Sequence, residues 1–243
     1  MTRVFVPGDA AALAVGADEV AAALGGHAEV VRTGSRGLFW LEPMIEVETP
    51  EGRIAYGPVE ASDVPGLLAD GLLDGRAQRL RLGIPEAIPF LARQTRLTFC
   101  RCGIVDPLSL EDYRAHGGMA GLEKARAIGP VATVEAVTAS GLRGRGGAGF
   151  PTGIKWKTVA DAPGDVEDGG AEDGGRKFVV CNADEGDSGT YADRMLLEGD
   201  PFGLIEGMVI AGFAVGASKG YVYTRSEYPH AIATFDKALA IAR

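Results

Sequence analysis

The sequence predicts an α/β fold in which a small sandwich precedes a second region containing a strand–helix–strand unit. Three observations carry this. Short β-type runs alternate with helical ones from the first residues onward. A buried-type strand, KFVVC, is followed by helical stretches and then by a second strand, GYVYT. The composition, 46% hydrophobic and 23% charged over 243 residues, suits one or two globular domains.

The elements follow in order. Residues 3–7 (RVFVP) read as a strand, and 10–24 as an Ala-rich helix that Asp9 caps. Residues 28–32 read as a strand. Two more, 44–48 and 53–56, flank the turn Thr49-Pro50-Glu51-Gly52, and 64–73 reads as a helix. That β-α-β-β-β-α order predicts a small sandwich of thioredoxin type over residues 1–80. Residues 81–115 read as a connector, and 116–243 as a second domain. In this domain 130–139 is helical, with Val131, Val134 and Val137 repeating, and 160–175 (ADAPGDVEDGGAEDGG) reads as an exposed, disordered insertion. Strand 177–181, helices 191–198 and 202–217, and strand 220–224 then form a βαβ unit with parallel pairing.

Charge and cysteine content narrow the function classes. A net charge of -9 argues against nucleic-acid or membrane-surface binding. The N-terminus MTRVFVPGDA lacks a basic-then-apolar leader, and the longest apolar run, 204–217, contains Glu206 and is too short to span a bilayer. The chain reads as cytoplasmic, with no membrane insertion. Cys100, Cys102 and Cys181 offer neither a disulfide framework nor a four-thiolate cluster set, so no metal site is expected. No Ser/His/Asp or Cys/His constellation is present to supply a catalytic side chain, and His27, His116 and His230 read as structural or surface residues.

One stretch stands against the acidic background. SGLRGRGGAGFPTGIKW, residues 140–156, is crowded with glycine and carries Arg143, Arg145 and Lys155. Residues 144–149 match G-x-G-x-x-G, but a helix and not a strand precedes them, and Ile154 stands where a Walker A loop needs lysine. The physics of anion binding still applies. Glycines let several backbone N–H groups converge on an anion, Lys155 adds a point charge, and Arg145 adds a planar fork. The alternative is a flexible surface loop with stray cations. Farther along, the carboxyl end of strand 177–181 delivers Asn182, Asp184, Glu185 and Asp187 onto a turn. Ligands of open parallel sheets bind at such ends.

Together GLRGRGGAGFPTGIKW and CNADEGDSGTYADR resemble the NADH- and FMN-binding flavoprotein (diaphorase) subunits of complex I and its soluble relatives. The DSG variant, DRMLLEGDP, RSEYPHA and RLTFCRCGIVDPLSLEDYRAHGG most resemble the beta subunit of soluble, molybdenum-dependent NAD formate dehydrogenases, with NAD-reducing hydrogenase diaphorases close behind. The resemblance implies the start of a Rossmann-like FMN/NADH-binding domain after the thioredoxin-like one. It implies that Gly144, Arg145, Gly147 and Lys155 cradle the FMN phosphate and ribityl chain, with Gly146 in the same loop. Phe150 would stack on bound NADH, Asn182 and Asp184 would hydrogen-bond the flavin beside Glu185, and Asp187 would face the nucleotide. The implied chemistry is hydride exchange between NAD(H) and FMN, with electrons passing on to iron–sulfur clusters. The implied partners are a 2Fe–2S subunit and the catalytic subunit of a multisubunit formate dehydrogenase or hydrogenase.

The sequence departs from that family in two ways. Related N-terminal modules carry four cysteines for a 2Fe–2S cluster, and the resemblance puts Pro7, Ala12, Arg32 and Arg36 at those positions. The family also continues beyond the stretch matched here, into a Gly-Glu-Glu segment, a ubiquitin-like domain and a domain holding a 4Fe–4S cluster. A non-catalytic assembly module that keeps the motifs without the cofactor is therefore a second reading. A third, an unrelated Rossmann dehydrogenase, is disfavoured by the missing strand before the glycine loop.

Overall fold

The structure, a computed structural model, describes residues 1–163 and 176–243. Most of the acidic insertion, 164–175, lies outside the described residues. The fold is mixed α/β, and the chain gathers into two compact units.

The first unit comprises residues 1–116, 189–201 and 228–243. Its sheet holds β1 (Arg3–Pro7), β2 (Glu29–Thr33), β3 (Ile45–Thr49), β4 (Gly52–Tyr56) and β5 (Arg81–Gly83) in the order β2-β1-β3-β4-β5. β1 and β2 run parallel and the other neighbours antiparallel. Alternation along the strands sends Val4, Val6, Ile45, Val47, Ile54 and Tyr56 to one face. There they meet Val20 and Leu24 of α2 (Ala17–Leu24) and Leu67 of α3 (Val64–Ala69) in a closed core.

The helix expected at 10–24 is two helices, α1 (Ala10–Leu13) and α2. Gly16, at φ 98°, takes a left-handed conformation that only glycine adopts without strain, and it breaks the helical run. Asp9 caps α1 as expected, its Oδ1 accepting from the N–H groups of Ala11 (3.0 Å) and Ala12 (3.4 Å). Likewise α3 stops at Ala69, ahead of Gly71 at φ 87°. The stretch read as a connector contains β5, α4 (Pro89–Ala92) and α5 (Leu110–Ala115).

Two helices from late in the sequence also belong to this unit: α9 (Ala192–Gly199) and α11 (Pro229–Ala242). Close contacts with early residues account for it. A Cβ on Gly34 would lie 2.5 Å from the Gly199 Cα, so two glycines let the backbones touch. Glu198 Oε2 accepts the Ala10 N–H at 2.8 Å, Asp200 pairs with Arg101 at 2.9 Å, and the His230 ring lies 2.8 Å from the Gly8 carbonyl oxygen.

The second unit comprises residues 117–188 and 202–227. It contains α6 (Ala120–Ile128), α7 (Pro130–Ala139), α8 (Thr152–Asp161), β6 (Phe178–Ala183), most of α10 (Pro201–Val215) and β7 (Lys219–Thr224). β6 and β7 pair in parallel from Phe178↔Lys219 to Ala183↔Thr224, as a βαβ unit requires. α7 and α8 cross closely: a Cβ on Gly153 would sit 2.5 Å from the Thr138 Cα. Glu206, buried on α10, accepts the N–H groups of Met119 and Leu122 at 2.8 Å each. It thereby satisfies open donors at the N-terminus of α6. Among the described residues, no helix is long and apolar enough to cross a membrane.

Candidate functional site

Two structures in the second unit collect the residues singled out in the sequence. The glycine segment is a closed loop between α7 and α8. Arg143 and Pro151 form an isolated bridge, the Gly144 N–H donates to the Phe150 carbonyl (2.9 Å), and the Thr152 N–H donates to the Leu142 carbonyl (2.9 Å). Arg143 closes the loop from its side chain, donating to the Gly149 carbonyl at 2.8 Å. Arg143 is therefore a brace of the loop, while Arg145 and Lys155 are exposed and make no ion pair among the described residues.

The bend needs its glycines. Gly147 and Gly149 have φ of 88° and 58°, which disfavour any side chain. Cβ atoms built on Gly146, Gly147 and Gly149 would meet nothing within 4 Å, so space lies open beside this backbone. Phe150 is half exposed on the rim. The loop feeds directly into α8, whose N-cap, Pro151, provides no side-chain cap. The combination of open glycine backbone, uncapped helix N-terminus and two exposed cations fits an anion.

The second structure is the turn after β6. Asn182 ends the exposed side of the strand, and its Oδ1 accepts the Asp184 N–H at 3.0 Å, an Asx turn. Asp184 and Asp187 are exposed, whereas Glu185 is buried. Asp187 does not cap the following helix. That helix begins at Ala192, and its N-cap, Tyr191, has φ 55° and no side-chain cap bond. Gly144, Arg145, Gly146, Gly147, Phe150 and Lys155 thus share one loop and the helix turn behind it, and Asn182, Asp184, Glu185 and Asp187 share one strand end. No hydrogen bond joins Asn182, Asp184 or Asp187 to the loop among the described residues.

Sequence reasoning missed Arg225. It follows β7 immediately, and its Nη1 donates to the Glu185 carbonyl while Nε and Nη2 approach Glu227 at 3.4 and 3.3 Å. Its place just past the carboxyl end of the neighbouring parallel strand was the available signal.

The four positions aligned with cluster cysteines do not fit a cluster. Ala12 is fully buried. Arg32 donates to the carbonyls of Val6 and Pro7 and pairs with Asp18 at 2.6 Å. Arg36 is buried against Glu46 and also bonds Glu86 at 3.0 Å. None of these groups is a thiolate, and the two guanidiniums are committed to ion pairs. Burial pushes the Cys102 thiol up to about 12, with the Asp200 carboxylate adding to it, so it too stays a thiol. The full chain, treated anaerobically with iron and sulfide and then reduced, is expected to show no paramagnetic 2Fe–2S signal. Such a signal would show that other groups ligate iron.

With this geometry in place, the comparisons bear on it directly. The model of the Nuo51 FMN-binding domain matches residues 137–243, a segment that holds both the loop and the turn. The chain is 47% identical over 151 residues to the NADP-reducing hydrogenase subunit HndC of Solidesulfovibrio fructosivorans, a match covering 62% of this chain and 29% of that protein. It is 41% identical over 145 residues to a subunit of the NADH-quinone oxidoreductase of Aquifex aeolicus, covering 59% and 32%. It is 45% identical over 107 residues to the NAD-reducing hydrogenase HoxS subunit alpha of Cupriavidus necator, covering 44% and 16%. The match therefore spans about three tenths of the length of the first two of these relatives.

Proposed function

We propose that this chain binds FMN on the 143–155 loop and NAD(H) beside it, as part of a flavoprotein subunit of a cytoplasmic, multisubunit NAD-dependent formate dehydrogenase. The observation that carries the reading is the open glycine loop, with Arg145 and Lys155 exposed and without an ion pair among the described residues, inside the segment that matches an FMN-binding family. Gly144, Arg145, Gly146, Gly147 and Lys155 hold the phosphate and ribityl chain. Asn182 and Asp184 hydrogen-bond the flavin with Glu185 beside them, while Phe150 stacks on the nucleotide and Asp187 faces it. Bound FMN supplies hydride exchange with NAD(H) and one-electron transfer onward to iron–sulfur clusters. The protein's own part is to hold, orient and polarise.

The partners in this reading are a 2Fe–2S subunit and the catalytic subunit, and residues 1–80 form a thioredoxin-like domain that docks without a cluster of its own. The formate assignment rests on the DRMLLEGDP, RSEYPHA and RLTFCRCG stretches. The hydrogenase and quinone-oxidoreductase relatives support the wider class of multisubunit oxidoreductases. A second reading is a non-catalytic assembly module that keeps the motifs without the cofactor. Titrating FMN into the full chain separates the two. Saturable quenching of flavin fluorescence supports the first reading, and unquenched flavin at every protein concentration leaves the second.

The relatives' names divide over NADP and NAD, so we assign the nucleotide choice to Asp187. A carboxylate there accepts hydrogen bonds from ribose hydroxyls and repels the extra phosphate of NADPH. Two like charges ~6 Å apart at an effective dielectric of ~20 repel by a few kcal/mol. Asp187→Asn keeps the size and removes the charge. In the assembled enzyme it is expected to raise NADPH use relative to NADH while flavin stays bound. An unmoved ratio of kcat/KM values would remove Asp187 from the selectivity role.

A further inference from the structure

We infer that Arg225 is a positioning residue for the flavin: by holding the Glu185 carbonyl it aims the Gly186 N–H at the bound ring. This rests on the reading above that the 182–187 turn meets FMN.

In a trans peptide the C=O of one residue and the N–H of the next point in opposite directions. Arg225 Nη1 takes the Glu185 carbonyl. The Gly186 N–H therefore points away from Arg225. Gly186 itself is exposed, and a Cβ on it would meet nothing within 4 Å, so a ligand can approach this peptide. The other side of the turn is already fixed, since the Asn182 side chain holds the Asp184 N–H. With both ends held, the peptide between them has a set direction before any ligand arrives. A donor fixed in advance loses little entropy on binding, and the isoalloxazine ring offers carbonyl and nitrogen acceptors to it.

Arginine suits the position for two reasons. Its fork serves two partners at once, with Nη1 on the Glu185 carbonyl and Nε and Nη2 on Glu227. A lysine ammonium is a single point and reaches one of them. The guanidinium also places a positive charge against a turn that gathers Asp184, Glu185 and Asp187, whose mutual repulsion otherwise opens it. The strand register makes the contact possible. The last pair of the β6–β7 ladder is Ala183↔Thr224, so Arg225 emerges level with the first residue of the turn.

The test compares the full chain with Arg225→Ala and Arg225→Lys by FMN fluorescence titration, by the absorption spectrum of the bound flavin, and by amide hydrogen exchange across 183–188. For Arg225→Ala, FMN affinity is expected to fall about tenfold, the scale of one charge-assisted hydrogen bond. The flavin absorption bands should shift, and exchange should accelerate at the turn alone. Arg225→Lys should recover part of the affinity and the spectrum, because one N–H still reaches the carbonyl. Unchanged affinity and spectrum in Arg225→Ala, alongside weakened binding in Lys155→Ala, would overturn the inference and leave the flavin reading standing. Faster exchange throughout the unit with no recovery by lysine would also overturn it, as a loss of general stability. If the unaltered chain takes no FMN, the flavin reading falls by itself. Exchange at the turn then decides Arg225: local acceleration in Arg225→Ala supports positioning of the turn, and none refutes it.

Discussion

Replacing Glu42 with glutamine is expected to stabilise the protein by about 3 kcal/mol at pH 8 and by almost nothing near pH 4.5. Glu42 is 6% exposed. One carboxyl oxygen accepts the Ser35 hydroxyl at 2.6 Å and the other accepts the Met44 N–H at 2.9 Å. These bonds do not offset its surroundings. Burial first, and then the Asp9 carboxyl, push it from 4.5 up to about 7. Its folded pKa therefore lies above its unfolded one, which is the reverse of the usual surface carboxylate. Below about 4.5 both states hold the proton and Glu42 imposes no penalty. As the pH rises towards 7 the unfolded chain gives up its proton first, and stability falls. Above about 7 both states are ionised and the full penalty applies. At 1.36 kcal/mol per pKa unit the gap corresponds to about 3 kcal/mol. Glutamine cannot ionise, and its amide can still accept from Met44 and donate to Ser35. Burial also raises Asp9 and Glu198, so a smaller decline with pH should persist in the variant. Urea unfolding of both proteins at pH 4.5 and pH 8 measures this. Parallel pH dependences in the two would show that Glu42 is not the group responsible.

How much of this molecule could be read from its sequence depended on the range of the forces involved. Strands β1 to β4 and β6 and β7 were legible within a residue or two, because alternation and the turn at 49–52 are local signals. The parallel pairing of β6 with β7 followed from the helix between them. Helix α7 was legible to the residue, although Val131, one of the three valines that suggested it, is exposed. The break in the first helix was not read, because Ala10 to Leu24 has helical composition throughout and only the backbone of Gly16 departs. β5 and α4 have three and four residues, too few for any periodicity to show.

What the sequence could not disclose was which partners lie far apart along the chain. The Gly34–Gly199 approach, the Glu198 bond to Ala10 and the Arg101–Asp200 pair tie α9 and its C-terminal end to residues from the first half of the chain. No window of sequence contains both members of any of them. The candidate site shows the same division. The glycine loop and the cations from Gly144 to Lys155 were legible because residue types are local, whereas what they bind is a proposal. The roles of Arg143 as a brace and of Arg225 as a hold on the turn depended on which carbonyl each guanidinium reaches.

Lys155→Ala is expected to weaken FMN binding by about tenfold to a hundredfold and to leave riboflavin binding unchanged. The side chain leaves the first turn of α8 within a few residues of Gly147 and Gly149, and its backbone N–H is already committed to the Pro151 carbonyl at 3.3 Å. The Thr152 N–H is likewise committed, to Leu142. On the proposed reading a phosphate takes the donor of Ile154, which is exposed, and Lys155 adds a full charge. A hydrogen bond to a charged group is worth roughly 1.5–3 kcal/mol, which sets the expected range. Riboflavin has the same ring and ribityl chain without the phosphate, so it separates loss of the anion contact from damage to the loop. Lys155→Arg keeps the charge and should lose less affinity than alanine. Raising the salt concentration should weaken FMN binding to the unaltered chain more than to the alanine variant, because the variant has one screened cation fewer at the loop. Fluorescence titrations of the three proteins with both flavins, at low and high salt, give all of these quantities. Equal losses for FMN and riboflavin would show that Lys155 supports the loop and does not touch the phosphate.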